Sequence, residues 1–269
     1  MNYKFLFSLN IFLINLGGYI KFLTYAILDY KLLYLPRKNK KLLKENKTDV
    51  CYVCGLGPSF RNVDLNKIDG DTIVVNNFYK IGINFSHFIP SYYLIADKGF
   101  ATPYHINDLM EALKLYIGKR TKFLLNSALY ASEAFIGYPE DQLFYMSNFK
   151  GLFNHKKSII INRINPAFGN VACVAIGYAI ALGYKKIVLL GCDFNSFAHT
   201  TQAHCYNDAS HKRRISMDFE LFNYSFDAKI HIELAQYAER IGVEIVNSTK
   251  GSLIDAYPVK IDETLYFND

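Results

Sequence analysis

At 269 residues the chain can hold one large core with a small appendage, because single cores grow to about 250–300 residues before splitting. A hydrophobic share of 51% against 20% charged residues excludes a disordered chain. Much of the net charge of +6 sits in one run from Arg37 to Lys47, which argues against a broad nucleic-acid footprint and fits an anionic membrane surface; a solvated basic linker accounts for it as well.

Residues 5 to 35 are dominated by Phe, Leu, Ile and Tyr but carry Lys21 and Asp29. The uncharged stretch from Phe5 to Ile20 falls short of the roughly 20 residues that a spanning helix needs. At about 100° per residue, Lys4, Ser8, Asn15 and Asp29 draw a narrow polar stripe on an otherwise apolar helix. The pattern predicts a helix lying in the membrane interface, held at the cytoplasmic leaflet by the basic run. A helix packed on the domain or on a partner, a true span, and a signal sequence are the alternatives, although no small-residue cleavage site follows. Residues 1–47 are therefore read as a membrane-associating segment and residues 48–269 as the functional domain.

From Asp49 onward, short apolar runs alternate with helical stretches, the pattern of an α/β fold with a mostly parallel sheet covered on both faces. Predicted strands are Val50–Cys54, Thr72–Val75, Tyr92–Ala96, Lys122–Leu125, Leu143–Met146, Ser158–Ile161, Lys186–Leu190 and Glu244–Val246. Predicted helices are Ile106–Ile117, Val171–Leu182 and Phe219–Ile241, the last closed by Gly242. No internal repeat is visible. The Cys51-x-x-Cys54 pair lies inside a strand with no second ligand pair, so the five cysteines read as buried thiols and no metal site is expected.

In open parallel sheets ligands bind beyond the carboxyl ends of the strands, so the residues after each run are the site candidates. Gly55-Leu56-Gly57-Pro58-Ser59 offers amides for phosphate oxygens, though a tight strand-to-helix turn explains it too. Asn76 and Asn77 can hydrogen-bond a base or ribose, and Asp97 can accept from sugar hydroxyls or bind a metal. Arg163 suits a carboxylate or phosphate, and Gly169 with Asn170 opens a helix whose first amides suit an anion. Asp193, Phe194 and Asn195 follow the penultimate strand and lead into a predicted lid, residues 195–218. That lid carries His199, His204, Tyr206, His211 and the cluster Lys212-Arg213-Arg214. His204 is the best candidate for a general base.

The ordered set Gly55-Leu56-Gly57-Pro58-Ser59-Phe60, Val75-Asn76-Asn77-Phe78-Tyr79, Asn162-Arg163-Ile164 and Ala179 to Ile187 running into Gly191-Cys192-Asp193-Phe194 resembles the bacterial sialyltransferases of glycosyltransferase family 42 and the related domain of flagellin motility accessory factors. Leu56 and Asp97 each stand where that family usually has Asn, and Asn195 stands where it has Tyr. The resemblance implies a modified Rossmann-like fold using a CMP-activated keto-sugar acid without metal or cofactor. It further implies the glycine turn and Asn76 on the nucleotide, Arg163 on an acceptor carboxylate and a lid His as base; together with the N-terminal anchor, the expectation is a transferase extending a surface glycan or glycolipid at the cytoplasmic face of the inner membrane. Nucleic acid is not an expected partner, and self-association stays open. Two other readings are a magnesium-dependent pterin-type pyrophosphokinase using Asp97 and Asp193, and a non-catalytic nucleotide-sugar-binding subunit of a polysaccharide assembly complex.

Overall fold

The structure, a computed structural model, describes residues 3–45, 48–81, 88–101, 103–130, 135, 137–199, 204–206 and 216–267. Strands are β1 (Val50–Cys54), β2 (Asp71–Val75), β3 (Tyr92–Ile95), β4 (Lys122–Asn126), β5 (Leu143–Met146), β6 (Asn148–Leu152), β7 (Asn165–Ala167), β8 (Lys186–Leu190) and β9 (Glu244–Asn247). Helices are α1 (Tyr3–Leu28), α2 (Lys31–Tyr34), α3 (Pro103–Leu113), α4 (Val171–Leu182) and α5 (Met217–Ile241).

The main sheet has the order β5-β4-β3-β2-β1-β8-β9, with every neighbouring pair parallel. The chain thus walks outward from β1 to β5 and then returns to place β8 on the other side of β1. That reversal is a topological switch point, where α/β sheets open a crevice beyond their strand ends.

Strand alternation divides the core between two faces. Cys51, Val53, Ile73, Val75 and Leu94 pack with α4 and with Ile230 and Leu234 of α5. Cys54, Val74, Tyr93 and Phe123 pack with Leu109 and Leu113 of α3. The fold is α/β and Rossmann-like, with helices on both faces. All five cysteines are buried free thiols. Helix α4 is apolar nearly all round because it is enclosed, and it begins at Asn170, whose side chain accepts from the Cys173 amide at 2.9 Å. Gly183 ends it at φ 93°, a left-handed position that suits glycine.

The predicted strand Ser158–Ile161 is not one. Ile159 and Ile161 are buried, but the segment is a loop closed by the Asn165 side chain, which accepts from Ile160 N and donates to the carbonyls of Ile160 and Arg163. Strands β6 and β7 flank that loop instead and form a separate parallel pair.

Two expectations for the N-terminal segment also change. Helix α1 continues unbroken through Lys21, whose ammonium lies over the rings of Tyr25 (5.6 Å) and Phe149 (5.9 Å), and by length and composition Phe5–Leu28 is long and apolar enough to cross a membrane. Nor does its polar stripe lie on one solvent-facing line, because α1 packs along β6 and the Asn15 side chain accepts from the Leu152 amide at 2.7 Å, while Ser8 and Asp29 are exposed. A Cβ on Gly18 would lie 2.6 Å from Gly151 N, so the helix and strand backbones touch there. Lys4's side chain lies outside the described residues.

The basic run is docked rather than free. Residues 35–44 wind along the exposed edge of β5 with Leu42 and Asn39 fully buried, and Asn39 Nδ2 donates to the carbonyls of Tyr145 (2.9 Å) and Ile161 (3.0 Å). Covering an edge strand in this way hides its unpaired backbone groups.

Candidate functional site

The crevice at the switch point is a cleft of about 320 Å³ beyond the ends of β1, β2 and β8. Of the residues named from sequence, Gly55, Gly57, Asn76, Asn77, Asn170, Asp193, Phe194, Asn195, His204 and Tyr206 line it. Pro58, Ser59 and Gly169 do not line it. Asp97 does not line the cleft; it is exposed and its carboxylate accepts from the Gly99 amide at 2.7 Å. Arg163 is also exposed and lines a different groove, since the loop that carries it does not belong to the main sheet.

The glycine turn is built for contact between two loops. Gly55 N donates to Leu190 O (2.7 Å) and Gly57 N to Gly191 O (2.9 Å), while Asp193 accepts both the Ser59 amide (3.0 Å) and the Ser59 hydroxyl (2.7 Å). A Cβ on Gly57 would overlap the Asp193 carboxylate, and one on Gly55 would overlap the Gly191 carbonyl. The Gly55, Gly57 and Ser59 amides of the turn are therefore engaged by β8 and the loop after it. Burial raises the Asp193 carboxyl above its ordinary value, while the Ser59 hydrogen bonds pull the other way.

An anion site remains at the start of α4. Asn170 N donates to Asp227 Oδ1 at 3.1 Å and the Cys173 amide is capped, but the Val171 and Ala172 amides have no partner among the described residues, and both residues line the cleft. Burial raises the Asp227 carboxyl to about 6.

Asn76 holds a left-handed conformation, φ 42°, that few non-glycine residues adopt. Its Oδ1 accepts from Ala96 N (3.1 Å) and the Tyr93 hydroxyl donates to its carbonyl (2.9 Å), which fixes the turn after β2. Phe194 is also left-handed, φ 58°, and its ring packs on Tyr224 at 4.5 Å. Backbone strain of this kind persists where the surroundings enforce it, often in sites.

The described part of the lid is tied to the glycine turn. Cys205 N donates to Leu56 O at 2.8 Å, and Arg61 Nε donates to Cys205 O at 2.6 Å. These bonds hold His204 and Tyr206 at the cleft, with their rings stacked 5.0 Å apart, and Asn77 Nδ2 donates to the Tyr206 hydroxyl at 3.3 Å. His211 and Lys212-Arg213-Arg214 lie outside the described residues.

Sequence reading missed His231. It sits on α5 at 1% exposure, lines the cleft, and shares a hydrogen bond with the Tyr257 hydroxyl through Nδ1 at 3.0 Å. Burial lowers its pKa to about 4, so the ring is neutral at physiological pH. Buried polar atoms are nearly always paired, yet His231 Nε2 and Asn77 Oδ1 have no partner among the described residues. Both belong to residues lining this one cleft. Its walls therefore offer side-chain hydrogen-bonding atoms and free helix amides to a polar, anionic ligand. Among the described residues no group of three or more His, Cys, Asp or Glu side chains is placed to hold a metal ion.

No family model and no curated protein matches the chain. Solved structures do. The sialyltransferase CstII from Campylobacter jejuni, in complex with cytidine-5'-monophosphate, aligns at 15% identity and TM-score 0.50 over 84% of this chain and 89% of that one. The monofunctional alpha-2,3-sialyltransferase Cst-I from Campylobacter jejuni aligns at 15% identity and TM-score 0.49, over 84% and 86%. CST-II in complex with a trisaccharide acceptor and CMP aligns at 18% identity and TM-score 0.47, over 82% and 89%. The likeness to CstII establishes a shared fold.

Proposed function

We propose that the chain is a glycosyltransferase that takes a CMP-activated keto-sugar acid and extends a bacterial surface glycan. The observation that carries this reading is the pairing, within one switch-point cleft, of orphaned hydrogen-bonding atoms on Asn77 and His231 with the open amides of α4. Fold likeness to a sialyltransferase solved with CMP supports the choice of nucleotide.

In the reaction, an acceptor hydroxyl oxygen attacks the anomeric carbon of the donor, and the bond from that carbon to the CMP phosphate oxygen breaks, with the electron pair leaving on CMP. His204 takes the acceptor proton. The Val171 and Ala172 amides and the α4 dipole stabilise the leaving phosphate, so the step is assigned no metal. Asn76 and Asn77 hold the nucleoside, and neutral His231 hydrogen-bonds the donor without changing charge. No observation favours the pyrophosphokinase alternative, since Asp97 lies outside the cleft that Asp193 lines.

The exposed apolar face of α1 supports placement on a membrane, assigned to the cytoplasmic face of the inner membrane, where glycolipid acceptors reside. A transfer assay with CMP-sialic acid and sugar acceptors tests the reading. Wild type should release CMP only with acceptor present, and His204→Ala should lose about 10²–10⁴-fold in turnover. An undiminished His204→Ala would leave a different base, and no turnover together with nucleotide binding would favour the non-catalytic subunit.

A further inference from the structure

We infer that the groove between α1 and the β6 to β7 connection is a binding site for the phosphate headgroup of an anionic membrane lipid. The groove encloses about 630 Å³, and its lining includes Arg37, Lys40, Lys150 and Arg163 together with Phe22 and Leu33, and no carboxylate. None of the four cations forms an ion pair with the described residues. Arg37 lies over the Tyr34 ring at 4.1 Å and Lys150 over the Phe22 ring at 5.3 Å, contacts that orient the charges without neutralising them. The local excess is felt next door, where burial and then the Lys150 charge hold the Lys157 ammonium below its ordinary value. Arginine matches phosphate oxygens in bidentate fashion, and a concave cationic surface with no internal counter-ion is suited to a phosphate.

The occupant is a lipid because the groove is lined in part by Phe22 of α1, the helix whose outer face is apolar and exposed. Along α1, Phe5, Leu9, Phe12, Leu16, Ile20, Leu23 and Ile27 recur at helical spacing, and each is more than 40% exposed. They form one outward apolar face, while Asn15, Gly18, Phe22 and Tyr25 face the domain. The domain thus fixes the depth at which the outward face meets a bilayer. A helix seated at the acyl boundary places cations on its flank at headgroup level. A nucleic-acid strand in the groove would leave that apolar face in water.

This inference rests on the membrane-facing reading of α1 but not on the transferase reading. The test uses the full chain, with Lys150→Ser/Arg163→Ser compared against a control that removes two charges on the α3 side of the sheet, Lys114→Ser/Lys119→Ser. Binding is measured to phosphatidylcholine vesicles with and without phosphatidylglycerol. At about 1 kcal/mol per charge, the groove variant should bind the anionic vesicles about 30-fold more weakly than wild type, the control should lose less, and all three should bind neutral vesicles equally. A second arm titrates soluble dihexanoyl phosphatidylglycerol, with dihexanoyl phosphatidylcholine and inorganic phosphate as comparators, so that it reports on the groove even if no vesicle is bound. Saturable binding of the phosphatidylglycerol alone, lost in the groove variant, is the expected result. Equal response to inorganic phosphate, no preference for the anionic lipid, or an unaffected groove variant would overturn the proposal.

Discussion

Asp193 accepts two hydrogen bonds from one residue, Ser59, through its amide at 3.0 Å and its hydroxyl at 2.7 Å, and so joins the loop after β8 to the turn after β1. The two residues stand on either side of the switch point, so this link sets the shape of the cleft floor. Ser59→Ala keeps the amide bond but removes the hydroxyl from a carboxylate that is 5% exposed. Hydrogen bonds to charged groups contribute about 1.5–3 kcal/mol, so urea unfolding should report a loss in that range. Asp193→Asn should cost less, because the neutral amide carries no charge into the buried site.

Asp227 makes stability depend on pH. Its folded-state pKa is raised from the ordinary 3.8 to about 6 by burial. Between those values the native state holds a proton that the unfolded chain has released, so the stability it contributes is greatest below the lower value and is lost as pH rises through about 6. The carboxyl is only half-buried, so the effect should be about 1 kcal/mol. Asp227→Asn keeps the acceptor for Asn170 N–H and should flatten the stability profile across that window in denaturant titrations at stepped pH.

His231 and Asn77 should matter to ligand binding and little to folding. Asn77→Ala removes an unpaired polar atom from the cleft and His231→Gln replaces one with an amide of different reach and geometry, and each should weaken CMP-sugar binding by roughly tenfold, about one hydrogen bond. Melting temperatures should move by only a few degrees. Because the His231 ring is neutral above about 4, the His231→Gln effect should be constant from neutral pH down to near 5. A loss that varied across that range would assign the residue to proton transfer.

Gly18 brings the α1 backbone against β6. Gly18→Val should push the helix off Gly151, which a Cβ would meet at 2.6 Å to the amide nitrogen. The expected readout is faster amide exchange in residues 149–152 and proteolysis within the N-terminal segment, while strands β1 to β4 stay protected.

The parallel sheet was legible because its strands are continuous apolar runs, α4 because it is an apolar run opened at Asn170, and α5 because Gly242 closes it. Ser158–Ile161 misled because burial alone, without a partner strand, writes the same apolar pattern. Only Asn165, folding back onto Ile160, shows that the segment is a loop. Arg163 followed it to the wrong surface. The glycine turn was visible, but its amides are taken by a loop more than a hundred residues away, a pairing that local sequence does not carry. His231 was hidden because a histidine among apolar positions of a long helix reads as core; only the orphaned Nε2 at the cleft distinguishes it.

The proposed function requires the switch-point cleft to bind a cytidine nucleotide. Calorimetric titration of the full chain with CMP, against UDP, GDP and ATP under the same conditions, tests it most directly. Saturable binding of CMP alone, weakened about tenfold in Asn77→Ala, is the predicted result. Heat of binding with ATP and none with CMP would contradict it.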